Sequence, residues 1–145
     1  MKLKVKRTSR TAVLPTRGSA GAAGIDLYAD ATEPVAIHPG QHVMLHTNIV
    51  AEIPSGYFGA VYARSGIAVR CGLRPTTCVS VIDDDYRGEI GLPIRNDSDK
   101  VQIVKPGERI AQMVIQKYYP VEVVEVDEVS GTERGAGGFG STGKV

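Results

Sequence analysis

The sequence predicts an all-β protein, an antiparallel sandwich or barrel. Short runs of β-branched and apolar residues recur at close spacing along most of the 145 residues. Gly, Pro, Asn and Asp separate these runs as turns. No stretch sustains a 3.6-residue apolar period long enough for a substantial helix.

The elements follow in order. Residues 3–6 alternate charged and apolar side chains in M-K-L-K-V-K-R, which reads as a strand and lacks the apolar stretch of a signal peptide. Residues 22–28 set Asp26 between apolar neighbours, and 35–37 lie between Pro34 and Pro39-Gly40. The β-branched run 43–53 ends at Pro54-Ser55-Gly56, and 56–62 follow as the next strand. A short helix is expected around 65–69. Residues 77–82 and 89–95 flank an acidic turn. Residues 101–104 lie between Asn96-Asp97-Ser98-Asp99 and Pro106-Gly107, and 109–117 open after that Pro-Gly. Residues 121–126, V-E-V-V-E-V, are read as the last strand. Core strands account for 43–45, 49–53 and 121–126. The division is one domain over 1–130 and a Gly-rich tail over 131–145.

Composition excludes several classes. Charge is nearly balanced, 17 basic against 16 acidic residues, so a nucleic-acid polymer is not an expected partner. No apolar run approaches the ~20 residues of a membrane span. Cys71 and Cys78 are too few for a disulfide framework, which suits a reducing, cytoplasmic setting. His38, His42 and His46 fall four apart, but Pro39 and Gly40 break any helix that would align them. On a strand His42 and His46 share a face.

Four internal segments carry chemistry. In A-G-I-D-L-Y-A, Asp26 needs a partner for its charge, and an arginine is the natural one. In A-R-S-G-I-A, Arg64, Ser65 and Gly66 stand together after a strand. If a helix begins there, its first N–H groups and Ser65 suit an anion, with Arg64 adding charge. V-I-D-D-D-Y-R-G-E-I places three consecutive carboxylates at the end of an apolar strand, where like charges repel. That pattern fits either a solvated hairpin turn or a site in which a carboxylate takes a proton from water and Tyr86 presents its ring to a sugar. G-E-R-I-A-Q ends on Gln112, a polar amide among apolar residues.

The end of the chain is R-G-A-G-G-F-G-S-T-G-K-V. Residues 131–143 hold six of the 17 glycines and one of the two phenylalanines, Phe139. Glycines let backbone N–H groups approach phosphate, arginine pairs with phosphate oxygens, and a phenyl ring can stack on a base. The same letters fit G-x-G-x-x-G and the start of a Walker A loop. Both fail on context, since no βαβ unit precedes them and Val145 ends the chain after Lys144. Taken alone, the tail reads equally as a Gly/Ser-rich linker.

Together, and in this order, the five segments resemble the five motifs of the homotrimeric dUTPase family, over about 23–143. The resemblance implies a jelly-roll-like β-barrel (a β-clip) in a threefold trimer, with each active site built between subunits. It implies Mg²⁺-dependent hydrolysis of dUTP to dUMP and pyrophosphate, which keeps uracil out of DNA and supplies dUMP for dTMP synthesis. Asp83 would activate water, and Tyr86 would pack under the deoxyribose. Thr77, Val81 and Ile82 lie where the hairpin reads the base. Arg64, Ser65, Gly66 and Gln112 would hold phosphates. Arg134, Gly140, Ser141 and Thr142 would close over the phosphate end, with Phe139 stacked on uracil. Asp26 would position Arg64 or the hydrated magnesium, which the family holds through phosphates and water.

Two positions depart from the family pattern. Thr77 stands where an asparagine is usual and Ser80 where a glycine is usual, which bears on uracil recognition. Looser base selection is one alternative, and a non-catalytic nucleotide- or partner-binding trimer is another. A dCTP deaminase is disfavoured, because Pro93 stands where that enzyme needs a glutamate.

Overall fold

The computed structural model describes residues 1–138. Phe139, Gly140, Ser141 and Thr142 lie outside the described residues. Eleven strands and one short helix make up the described fold: β1 Lys4–Arg7, β2 Ile25–Tyr28, β3 Val35–Ile37, β4 His42–Leu45, β5 Ile49–Glu52, β6 Tyr57–Ala63, α1 Ser65–Cys71, β7 Leu73–Pro75, β8 Ser80–Ile82, β9 Leu92–Asn96, β10 Gln102–Val104 and β11 Arg109–Lys117. All pairings between the strands are antiparallel.

The ladders divide into β1-β5, β10-β3, β2-β11-β6-β8 and β4-β9-β7. The mainly β expectation holds. The described residues form four small sheets and no closed barrel, because short strands interrupted by tight turns leave the ladders unjoined.

Strand β11 is the longest element and pairs on both sides, with β2 and with β6. Its side chains Ile110, Ala111 and Met113 are buried, as are Leu27 of β2 and Ala60 and Val61 of β6. Ile37, Ile49, Leu92, Ile94 and Val104 carry the same core into the other sheets. Full burial of such a side chain contributes about 1.5–3 kcal/mol.

Buried polar groups in this core are paired. Asn96 is fully buried, and its amide nitrogen donates to Ile37 O at 2.8 Å and to Lys100 O at 2.7 Å. Its Oδ1 accepts from the Ser98 N–H and hydroxyl. Pro93 sits in the central strand of its sheet, where a missing N–H usually breaks a ladder. Here the Pro93 carbonyl accepts from Thr76 N at 2.7 Å, one residue past the end of β7. The missing donor therefore faces the strand's end, where pairing has stopped.

Several expectations are corrected. The run 43–53 is two strands, divided by Asn48 at φ 50. The run 77–82 is a strand only from Ser80, because Cys78 at φ 62 turns the chain before it. Strand β9 begins at Leu92 rather than 89, since Glu89 is drawn into side-chain bonding. The strand β7 was not expected; Pro75 hid it, although Leu73 and Pro75 are both buried. The segment 121–126 is neither strand nor core: Val121 is 79% exposed and Val123 92%. Its alternating valines carry strand propensity, but no described strand lies beside it to pair.

Candidate active site

The four internal motifs come together on one sheet, in the order β2-β11-β6-β8. Asp26 of β2 lies opposite Gln112 of β11, which lies opposite Tyr62 of β6. One residue beyond the end of β6, Arg64 is the N-cap residue of α1, with extended backbone at φ −79, ψ 133. The helix thus starts at Ser65, and its hydroxyl is not the cap. The first N–H groups of a helix have no acceptor within it. Here they belong to Ser65 and Gly66.

Asp26 is only 7% exposed, and arginines meet its charge twice. Arg64 Nε donates to Oδ1 at 2.8 Å, and Arg109 Nη1 donates to Oδ2 at 3.2 Å. Arg64 also donates to the Arg109 carbonyl at 3.4 Å. The aspartate was legible as needing an arginine. Arg109 was missed, and its signal was an arginine opening an otherwise apolar strand. Gln112 Nε2 donates to Ala63 O at 3.0 Å, which fixes the amide beside Arg64. Gly24 makes room for it, since a Cβ there would stand 2.6 Å from Gln112 Oε1. Asp26, Arg64, Ser65, Gly66 and Gln112 together line a cleft of about 200 Å³. The expected phosphate-binding set is thus one cluster, with cationic and N–H groups facing a common space.

The acidic motif forms a second cluster. Strand β8 pairs with β6, placing Val81 opposite Ala60 and Ile82 opposite Gly59. Val81, Ile82, Asp83 and Tyr86 line a cleft of about 350 Å³ together with Met44, Glu89 and Gly91. Asp83 is exposed and Tyr86 is 43% exposed. The Tyr86 hydroxyl donates to the Glu89 carbonyl at 3.0 Å, which holds the ring across the turn. Gly88 permits this, because a Cβ there would strike the Tyr86 ring.

Glu89 anchors the turn from behind. Its carboxylate accepts the N–H groups of Thr47 and Asn48 at 2.9 Å each and lies 3.1 Å from His46 Nδ1. Partial burial pushes its pKa up, but the Asn48 amide, the His46 ring and the Thr47 amide outweigh that and hold it below its ordinary value. Sequence reading missed this role, since nothing local distinguishes Glu89 from a surface glutamate.

The departures from the family pattern have a local structure. The hydroxyls of Thr77 and Ser80 are hydrogen-bonded to each other at 2.7 Å. Ser80 lies within β8, so its Cβ meets no left-handed backbone; the positive φ falls on Cys78 instead. A serine in place of the usual glycine therefore meets no backbone strain here.

Asp26 and the acidic turn belong to opposite edges of the sheet, and Arg64 and Asp83 lie toward opposite ends of β6. Ile82 is paired with Gly59, five residues before Arg64, which is about 16 Å at ~3.3 Å per residue. Asp83 lies beyond Ile82, farther from Arg64. Arg64 reaches toward β2, the opposite edge strand from β8. Arg134 joins neither cluster: it is exposed, and its Nε donates to Gly137 O at 2.8 Å within its own turn. Among the described residues no group of three or more His, Cys, Asp or Glu side chains is placed to hold a metal ion. No helix of the described residues is long and apolar enough to cross a membrane.

Comparison with known proteins identifies the family. Residues 10–143 match the family model for dUTPase. The deoxyuridine 5'-triphosphate nucleotidohydrolase of Hydrogenobaculum sp. is 46% identical over 143 residues, covering 99% of both chains. That of Oryza sativa subsp. japonica is 48% identical over 141 residues, covering 97% of this chain and 80% of the relative. A Staphylococcus bacteriophage 80alpha dUTPase variant, solved with dUpNHpp, superposes with a TM-score of 0.85 at 30% identity, covering 98% of each chain. With matched sequence over nearly its whole length and the same fold, the chain belongs to the dUTPase family of enzymes.

Proposed function

We propose that the protein hydrolyses dUTP to dUMP and pyrophosphate in a homotrimer whose sites are shared between subunits. The observation that carries this reading is the division of one sheet into a phosphate-suited cluster at Arg64 and a carboxylate-and-tyrosine cluster at Asp83. Water attacks the α-phosphorus, the new P–O bond forms, and the bond to the β-phosphate oxygen breaks as pyrophosphate leaves. Asp83 orients that water and accepts its proton. Arg64, Ser65, Gly66 and Gln112 neutralise and position the phosphates. Tyr86 lies under the deoxyribose. Thr77, Val81 and Ile82 frame the uracil, with the Thr77–Ser80 hydroxyl pair stiffening the turn. Arg134, Phe139, Gly140, Ser141 and Thr142 complete the site from another chain.

The sharing follows from reach. A base must act within hydrogen-bond distance of the attacking water, directly or through one more water. Within one chain the backbones at Ile82 and Arg64 are about 16 Å apart along β6 and Asp83 lies farther still, too far for Asp83 and Arg64 to serve one reacting phosphorus. Two chains can supply them side by side. The exposed valines 121, 123, 124 and 129 offer apolar surface that a neighbouring copy would cover.

Mg²⁺ suits this site as an ion carried by the phosphates. Asp26 has each oxygen on an arginine, and each oxygen keeps a lone pair for a water of the ion's hydration shell. When bound, the ion offsets phosphate charge. A cytosolic setting fits the two free thiols, Cys71 and Cys78.

Pyrophosphate release from dUTP, dCTP, dTTP and UTP, with Mg²⁺, tests the reading. Turnover of dUTP alone is expected. Equal rates on the three deoxynucleotides would sink uracil selection, and no release from any of them would sink the enzyme. Asp83→Asn is expected to lower kcat by about 100-fold or more while the chain stays folded. A chain ending before Arg134 is expected to lose turnover and keep its melting temperature.

A further inference from the structure

Asp84 belongs to the run of three carboxylates, yet the chemistry above gives it no role. Its neighbours Asp83 and Asp85 are exposed, whereas Asp84 is half-buried. Its Oδ2 accepts the Gly56 N–H at 2.9 Å and the Tyr118 hydroxyl at 3.2 Å. Gly56 lies at φ 80 in the turn from β5 to β6, and its carbonyl accepts the Tyr118 N–H at 3.1 Å. Asp84, Gly56 and Tyr118 therefore close a ring of hydrogen bonds joining three separate stretches of chain. The backbone of Asp84 is held as well, since Arg87 Nη1 donates to its carbonyl at 2.7 Å and to the Tyr86 carbonyl at 2.9 Å.

The placement matters for two reasons. Three adjacent carboxylates repel, which would splay the turn that carries Asp83 and Tyr86. Pinning the middle one counters that. Tyr118 is also the first residue after β11, where the segment leading to Arg134 begins. By accepting the phenol's hydrogen bond, the Asp84 carboxylate holds the Tyr118 pKa above its ordinary 10.0.

We propose that Asp84 and Tyr118 are positioning residues, whose hydrogen bond fixes the Asp83–Tyr86 turn against the β5–β6 turn and the root of the C-terminal segment. The proposal rests on the dUTP reading, in which Asp83 and Tyr86 touch the substrate. Asp84 and Tyr118 line one cleft with Asp83 and Val81, and their hydrogen bond acts through the turn it holds.

The test uses the full chain with Tyr118→Phe, Asp84→Ala and the double variant. Steady-state dUTP turnover is read beside amide hydrogen exchange at Gly56 and residues 83–86. Tyr118→Phe removes a single oxygen and keeps the ring. It is expected to lower kcat about five- to tenfold, the equivalent of one hydrogen bond, with KM moved less than about twofold. Exchange at 83–86 is expected to quicken in both single variants. The double variant is expected to be no slower than Asp84→Ala, because both changes remove one interaction. Unchanged kcat in Tyr118→Phe overturns the proposal, even if exchange quickens, because the bond is then only structural. Losses that multiply in the double variant overturn it too. A wild-type chain inactive on dUTP sinks the functional reading before any variant is compared, and exchange at 83–86 alone then decides the bond's hold on the turn.

Discussion

A carboxylate almost removed from water must have its charge met, and Asp26 meets it on two sides. The Arg64 pair is the less exposed of the two, at 27% side-chain exposure against 48% for Arg109. Hydrogen bonds to charged groups contribute about 1.5–3 kcal/mol, and exposure reduces that toward the lower end. Arg109→Ala is therefore expected to slow dUTP turnover by less than about tenfold, and Asp26→Asn by more than about tenfold. Equal losses in the two variants would show that Arg64 does not depend on Asp26 for its place. Residues of this kind were partly legible. A lone aspartate among apolar neighbours announces its need for an arginine, and Arg64 meets it as read, with Ser65 and Gln112 lining the same cleft. Arg109 and Glu89 act through register and long-range packing, which a single sequence does not display. The Thr77–Ser80 hydroxyl pair was not legible either, because it depends on a turn whose left-handed residue is Cys78.

Elements were legible where alternation and turn chemistry agreed. Strands β3 and β11 fall at their expected bounds, between Pro34 and Pro39 and after Pro106-Gly107. The run 121–126 misled because strand propensity reports fitness for a ladder and says nothing of whether a partner is at hand. The turn between β4 and β5 shows the reverse case, an element held by a distant side chain. Glu89 accepts two of its amides, and its pKa lies below the ordinary 4.5. A carboxylate with a depressed folded-state pKa stabilises the fold fully above its unfolded value and loses that contribution as pH falls through the folded one. Glu89→Gln is thus expected to lower Tm at pH 7, with the gap to wild type closing below about pH 4.5. Parallel Tm curves from pH 7 to pH 3 would show that the Glu89 charge contributes nothing. The comparison cancels Asp30, Glu52 and Asp97, whose pKa values are also lowered, because both chains share them.

At the scale of the molecule, under the proposed reading, one chain holds each half of the site in the wrong place for its own other half. Strand β6 runs from the Asp83 end to Arg64, so the separation is set along a strand that β11 pairs from Tyr57 to Ala63. No loop motion brings Ile82 and Arg64 together without breaking those ladders. A shared site makes a specific prediction about mixtures. Arg64→Ala lacks the phosphate end and keeps Asp83, while Asp83→Asn keeps Arg64. Each alone is expected to be nearly inactive. In a randomly assembled symmetric oligomer with equal amounts of both, each site draws Arg64 from one chain and Asp83 from another. Each draw is intact half the time, so about one quarter of the sites are whole. Unfolding and refolding the two variants together is expected to restore about 25% of wild-type turnover, and mixing without exchange of chains to restore almost none. If co-refolded chains stay inactive while size measurements show mixed oligomers, both halves of the site come from a single chain. The separation along β6 would then have to be closed by a rearrangement of the sheet itself.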